Sequence, residues 1–121
     1  TVEWYFNDGK KSLALEYYQE LSVKEKIKVL KLFKRIGDSG EIKDITKFRN
    51  EGNKIYSFKP KPDRFLCFFY DGGKIVVTNA FKKKQQKLPK NEHEKATKLR
   101  EDYILRVENG VYYEEKNIVN F

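Results

Sequence analysis

The residues able to do chemistry in this chain are cations, and they cluster. Lys82, Lys83 and Lys84 follow directly on the apolar run "KIVVTNAF", and Lys87, Lys90, Lys95, Lys98 and Arg100 prolong the basic character. Against these eight cations, residues 82–100 hold two acids, Glu92 and Glu94, a local excess of six charges in a chain of formal net charge +8. An excess this local selects a polyanionic partner: nucleic acid first, an acidic protein second, a membrane surface third. Charge patterning alone leaves a solvated helix face as the alternative.

Turn geometry brings in two more cations. The loop Pro60–Asp63 is expected to leave Lys59 opposite Arg64, and opposed residues of two strands share a face. Two like charges so placed cost roughly some tenths of a kcal/mol unless an anion sits between them. The next hairpin, closed at Gly72 and Gly73, is expected to pair Tyr70 with Ile75 and Arg64 with Phe81. Alternation then puts Lys83 on the face of Arg64, whereas a slip of one residue selects Lys82. Either way Lys59, Arg64 and the lysine run gather at one end of a sheet. The competing reading is a lysine-decorated edge that blocks aggregation.

Other chemistry is sparse. The sole histidine, His93, falls on the first turn of the expected last helix and reads as a solvated surface residue. No His–Glu or two-His pair is evident. Cys67, the single cysteine, lies in an apolar strand and reads as a small buried hydrophobe, with no partner for an intrachain disulfide. No ligand cluster has metal-site spacing, and "DGG" is a turn, not a phosphate loop, so no cofactor is expected. Glu114 and Glu115 read as solvent contacts.

These residues need a scaffold. The chain has 121 residues, 15% of them aromatic, enough for one domain spanning 1–121 with a real core. "TVEWYF" reads as a first strand. Leu13, Tyr17 and Leu21 recur at helical spacing in a first helix. Ser22 and Glu25 form a capping box that opens a second, with Lys24, Lys28, Lys31 and Arg35 as a basic outer stripe and Gly37 placed to end it. "NKIYSFK", "RFLCFFY" and "KIVVTNAF" are three strands joined by short turns. Pro89 precedes a last helix with Ala96, Leu99, Tyr103 and Val107 inward. The order β-α-α-β-β-β-α makes an α+β antiparallel meander. The tail from Val111 is either a last strand or a docked extension, and Trp4 is either core or a partner contact. No run of eighteen apolar residues exists, so no membrane span is expected, and the start lacks the pattern of a signal peptide. The cytoplasm is the expected compartment.

The segment "IYSFKPKPDRFLCFFYDGGKIVVTNAFKKKQQKLP", followed by "EKATKLREDY", resembles the HigB-type branch of the RelE/ParE toxin superfamily. Tyr56 and Arg64 fall on that family's tyrosine and second arginine. Phe81, Lys83, Lys84, Gln86, Lys87 and Pro89 fall on its "F.KKtqktP" segment, and Ala96 and Arg100 on its helix positions. Lys59 replaces the first arginine, which keeps the charge but loses the bidentate fork. "NAF" replaces "hgF", so a histidine common there is absent, and Gln85 and Leu88 replace threonines. The resemblance implies a RelE-like antiparallel sheet with two N-terminal helices and a C-terminal helix. It also implies the toxin of a type II toxin–antitoxin pair. Such toxins cleave messenger RNA on the ribosome and are held inactive by a helix-turn-helix antitoxin.

RNA cleavage needs the 2′-hydroxyl deprotonated, the phosphorane charge stabilised and the 5′-oxygen protonated. Arg64 is cast as phosphate clamp, and Lys83 or Lys84 as phosphorane stabiliser or, with a pKa lowered by crowding, as proton carrier. Tyr56 is a proton donor, a stacking platform or ordinary sheet packing. Lys59, Lys82 and Lys87 are RNA-backbone contacts. Two other functions stay open: a ParE-like topoisomerase poison, and a non-catalytic module that binds RNA or antitoxin.

Overall fold

The computed structural model describes residues 1–84, 87–112 and 118–119. Gln85, Gln86, Glu114 and Glu115 lie outside the described residues. The elements run β1 (Val2–Trp4), α1 (Leu13–Gln19), α2 (Val23–Ser39), β2 (Phe48–Gly52), β3 (Ile55–Phe58), β4 (Asp63–Tyr70), β5 (Lys74–Lys82) and α3 (Lys90–Glu108). They build an α+β arrangement around one five-stranded sheet ordered β1-β5-β4-β3-β2. The meander β2–β5 is antiparallel, as expected, but β1 pairs parallel to β5, Val2 with Ile75 and Trp4 with Val77. No hairpin joins those two strands; most of the chain lies between them, so nothing forces them antiparallel. The strand β2 was not expected. "FRNEG" carries one apolar side chain, Phe48, and so lacks the alternation that marks a half-buried strand.

The sheet is covered on both faces. Phe58, Phe65, Cys67, Ile75 and Val77 pack with Val29, Leu32, Phe33 and Ile36 of α2. Ile55, Leu66, Phe68 and Val76 point the other way, toward Ala96 and Tyr103 of α3. Phe33 centres the first core, 4.6 Å from the ring of Phe58 and 5.7 Å from that of Phe65. Each such buried ring contributes roughly 1.5–3 kcal/mol over its exposed state. Trp4 is core, packed on Tyr18, Phe33 and Phe65. Cys67 is buried, which pushes its thiol well above the usual range.

Both N-terminal helices start on serine caps, Ser12 and Ser22, and Ser22 closes the expected box with Glu25. The apolar faces are narrower than the spacing suggested. Val23, Ile27 and Leu13 are exposed, because they lie at the margins of stripes centred on Leu32, Phe33 and Ala14. Gly37 stays helical. The helix ends at Gly40, whose φ of 78° is the left-handed conformation that glycine adopts without steric cost. At the far end of α3, Arg106 donates to the carbonyl of Phe6 and lies 4.7 Å over the ring of Tyr112. The described part of the tail docks beside β1, through a bridge of Ile118 to Glu3 and a hydrogen bond from Val119 N to the carbonyl of Val2. Among the described residues no helix is long and apolar enough to cross a membrane.

Candidate functional site

The register of β4 and β5 decides which cations meet. At the turn Tyr70 pairs with Lys74 and Phe69 with Ile75, one residue off the expected match. An extra residue on β5, Thr78, then sits between the pairs Cys67–Val77 and Leu66–Asn79. This bulge restores the expected match of Arg64 with Phe81 at the end of the strand. Thr78 is held there by donating to Asn79 Oδ1 at 2.6 Å, and its Oγ1 also lies 3.2 Å from the carbonyl of Leu66.

With that phase Arg64, Phe81 and Lys83 project to the α3 face. Phe58 pairs with Phe65, so the next residues outward, Lys59 and Arg64, also share it. The unexpected β2 adds Arg49, opposite Ser57, and Glu51. Lys87 to Lys90 and His93 close the far wall where α3 begins. Together they line a cleft of about 570 Å³ in which six cations face one carboxylate. The start of α3 adds the positive end of its dipole.

Each charge has a physical context. Arg64 is buried, 5% exposed, and its Nη1 donates to the carbonyl of Asp63 at 2.9 Å. Burial lowers its pKa, while Glu51 and Asp63 favour its charge. Burial lowers the pKa of Lys59 too, and Arg64, Lys83 and Arg49 push it down further. The expected crowding effect therefore falls on Lys59, whose Nζ donates to the carbonyl of Ile45 at 3.0 Å. Glu51 accepts from Ser57 Oγ at 2.6 Å and lies 3.8 Å from Arg49 Nε.

The cleft holds a histidine and a glutamate that sequence reading did not join. His93 Nε2 lies 3.0 Å from the carbonyl of Gly52. A carbonyl only accepts, so Nε2 is the donor in this contact. His93 stands 41 positions from Gly52, and only the pairing of α3 against β2 reveals the contact. The signal was an isolated histidine four residues past a proline, with no local pattern to distinguish it from surface. Arg49 and Glu51 went unread because β2 did.

Three expected site residues lie elsewhere. Lys82 pairs with Asp63 on the opposite face, where the Asp63 carboxylate accepts from Tyr17 of α1 at 2.5 Å. Burial raises the Asp63 carboxyl above its usual range. Tyr56 also faces α1 and α2, stacked on Phe48 and edge-on to Phe69. Lys84 is exposed and does not line the cleft. Asn79 takes the place of the absent family histidine, and its amide donates to Glu92 Oε1 at 3.0 Å, tying β5 to the first turn of α3. Among the described residues no three His, Cys, Asp or Glu side chains gather as a metal site would require.

A mostly antiparallel sheet with α1 and α2 on one face, α3 on the other and a cationic cleft at one end is consistent with a RelE-like fold. Residues 16–101, well over half of the chain, match the family described as phage derived protein Gp49-like (DUF891). The chain belongs to this Gp49-like family, a HigB-like toxin family of the RelE superfamily. No curated protein matches it.

Proposed function

We propose that this protein is the toxin of a type II toxin–antitoxin pair and a ribosome-dependent messenger RNA endonuclease, working through the cleft in a single domain. The observation that carries the reading is one pocket lined by Arg64, Lys59 and Lys83 together with Glu51 and His93, two side chains of the types that transfer protons. Arg64 supplies fixed donors to the scissile phosphate, and Lys83 stabilises charge on the phosphorane. Glu51 is the base for the 2′-hydroxyl, and His93 Nδ1 returns a proton to the leaving 5′-oxygen. The products are a 2′,3′-cyclic phosphate and a 5′-hydroxyl, with water consumed only if the cyclic ester later opens. This chemistry uses side chains alone and asks no metal of the site. Lys59 and Lys87 hold neighbouring phosphates, and Lys84 contacts RNA outside the cleft. Lys82 and Tyr56, on the other face, take no part.

Holding the 2′-oxygen in line with the leaving group supplies much of the acceleration, and the ribosome shares in that positioning. The partners are therefore messenger RNA, the ribosome and, for inhibition, a helix-turn-helix antitoxin. Mapping transcript 5′ ends after induction in growing cells tests the reading. Ribosome-dependent cuts near codon boundaries are the expected result. Intact messenger RNA with gyrase-linked DNA damage indicates a topoisomerase poison, and neither effect indicates a non-catalytic module.

A further inference from the structure

We infer that a second cationic groove, on the outer side of α2, is a binding track for the backbone of single-stranded RNA, continuous with the cleft. The inference rests on the nuclease reading for its choice of polymer. The groove measures about 350 Å³. Lys28 and Lys31 of α2 form one wall, and Lys47, Lys59 and Lys61 the other, over the apolar floor of Leu32 and Pro60. No acidic side chain lines it.

Lys28, Lys31, Lys47 and Lys61 are exposed, and among the described residues none of them forms an ion pair. Two acids stand near its rim, and both are hydrogen-bonded within their own turns. Glu25 accepts from Ser22, and Asp44 accepts from Thr46 N at 2.9 Å and Oγ1 at 2.6 Å. Five cations facing one groove outnumber the two acids near its rim, Glu25 beside Lys28 and Asp44 beside Lys47, and focus a positive potential that an anion relieves. Continuity selects the anion. Lys59 lines both this groove and the cleft. A strand whose phosphate lies at Arg64 must continue beyond it, and past Lys59 its next phosphates meet Lys61, Lys28 and Lys31. A folded acidic protein would not have to follow that line.

The test uses the full chain and a single-stranded RNA oligonucleotide made uncleavable by 2′-deoxy substitution. Affinity is measured over a salt series for the wild type and for the triple variant Lys28→Gln, Lys31→Gln, Lys61→Gln. A control triple, Lys10→Gln, Lys11→Gln, Lys98→Gln, changes net charge equally at exposed sites outside both grooves. Each lost phosphate contact should reduce the slope of log K against log salt by about 0.7, so the groove triple should flatten it by about 2 and the control should not. Equal slopes for wild type and groove triple overturn the track. Equal flattening by both triples overturns it as well, since that marks diffuse attraction. Unchanged RNA binding with lost binding to polyglutamate would assign the groove to an acidic protein instead. Cleavage of the all-ribose strand on ribosomes is read separately. A wild type that binds, with a slope that the groove triple flattens as expected, but never cuts refutes the nuclease reading and leaves the track standing.

Discussion

Lys59 shows at the level of a single residue what the cleft is built to meet. Its pKa is depressed by burial and by Arg64, Lys83 and Arg49, against a smaller opposing pull from Glu51. Between the depressed value and the ordinary lysine value the folded protein binds fewer protons than the unfolded chain. The free protein therefore gains stability from this group as pH rises through that window, and the contribution is lost as pH falls through the depressed value. A phosphate in the cleft reverses the shift. RNA binding should take up protons in that window and weaken as pH rises through it. Calorimetry in buffers of different ionisation enthalpy measures the uptake. His93 gives a second prediction. His93→Gln keeps a donor for the Gly52 carbonyl but cannot carry a proton, so cleavage should fall about 10²- to 10⁴-fold. The limb of the pH–rate profile that reports the acid should vanish with it, and a variant with an unaltered profile would remove His93 from the chemistry.

Among the elements, α2 and β5 carry most of the positioning. The capping box of Ser22 and Glu25 fixes the start of α2, the helix that presents Lys28 and Lys31. Ser22→Ala should cost about 1 kcal/mol and lower the melting temperature by about 4 °C, read by thermal unfolding followed by circular dichroism. The β5 bulge matters more for function. Were Thr78 paired with Leu66 in a regular ladder instead of bulged, the one-residue offset at the turn would persist to the strand end, and Lys82 would replace Lys83 on the cleft face. The sequence carried the match of Arg64 with Phe81, but through a uniform ladder from Tyr70 and Ile75 that does not form. Two displacements of one residue cancel. Turn chemistry alone cannot foresee that, because the bulge is held by a contact of Thr78 with Asn79 inside the sheet. The strand β2 was illegible for a different reason: at an edge of the sheet, Phe48 is its one apolar side chain and Arg49, Asn50 and Glu51 follow it, so no apolar alternation is left to read.

For the molecule as a whole, the two faces of the sheet sort the charges. Parity along β3, β4 and β5 sends Lys59, Arg64 and Lys83 toward α3, and Tyr56, Asp63 and Lys82 toward α1 and α2. The sequence identified the meander, the three helices and the gathering of cations, because periodicity and short turns are local. It could not bring Glu51 and His93 to one cleft, since their shared lining depends on α3 folding back across the sheet. The face assignment also makes neighbouring cations separable by experiment. In a ribosome-dependent cleavage assay with purified protein, Arg64→Ala and Lys82→Ala remove charges from opposite sides of one strand pair. With both variants folded, Arg64→Ala should slow cleavage by about 10²- to 10³-fold, the loss typical of one preorganised charge stabiliser, while Lys82→Ala should cut at nearly the wild-type rate. Full activity in Arg64→Ala, or loss of activity in Lys82→Ala alone, would contradict a catalytic cleft on the α3 face.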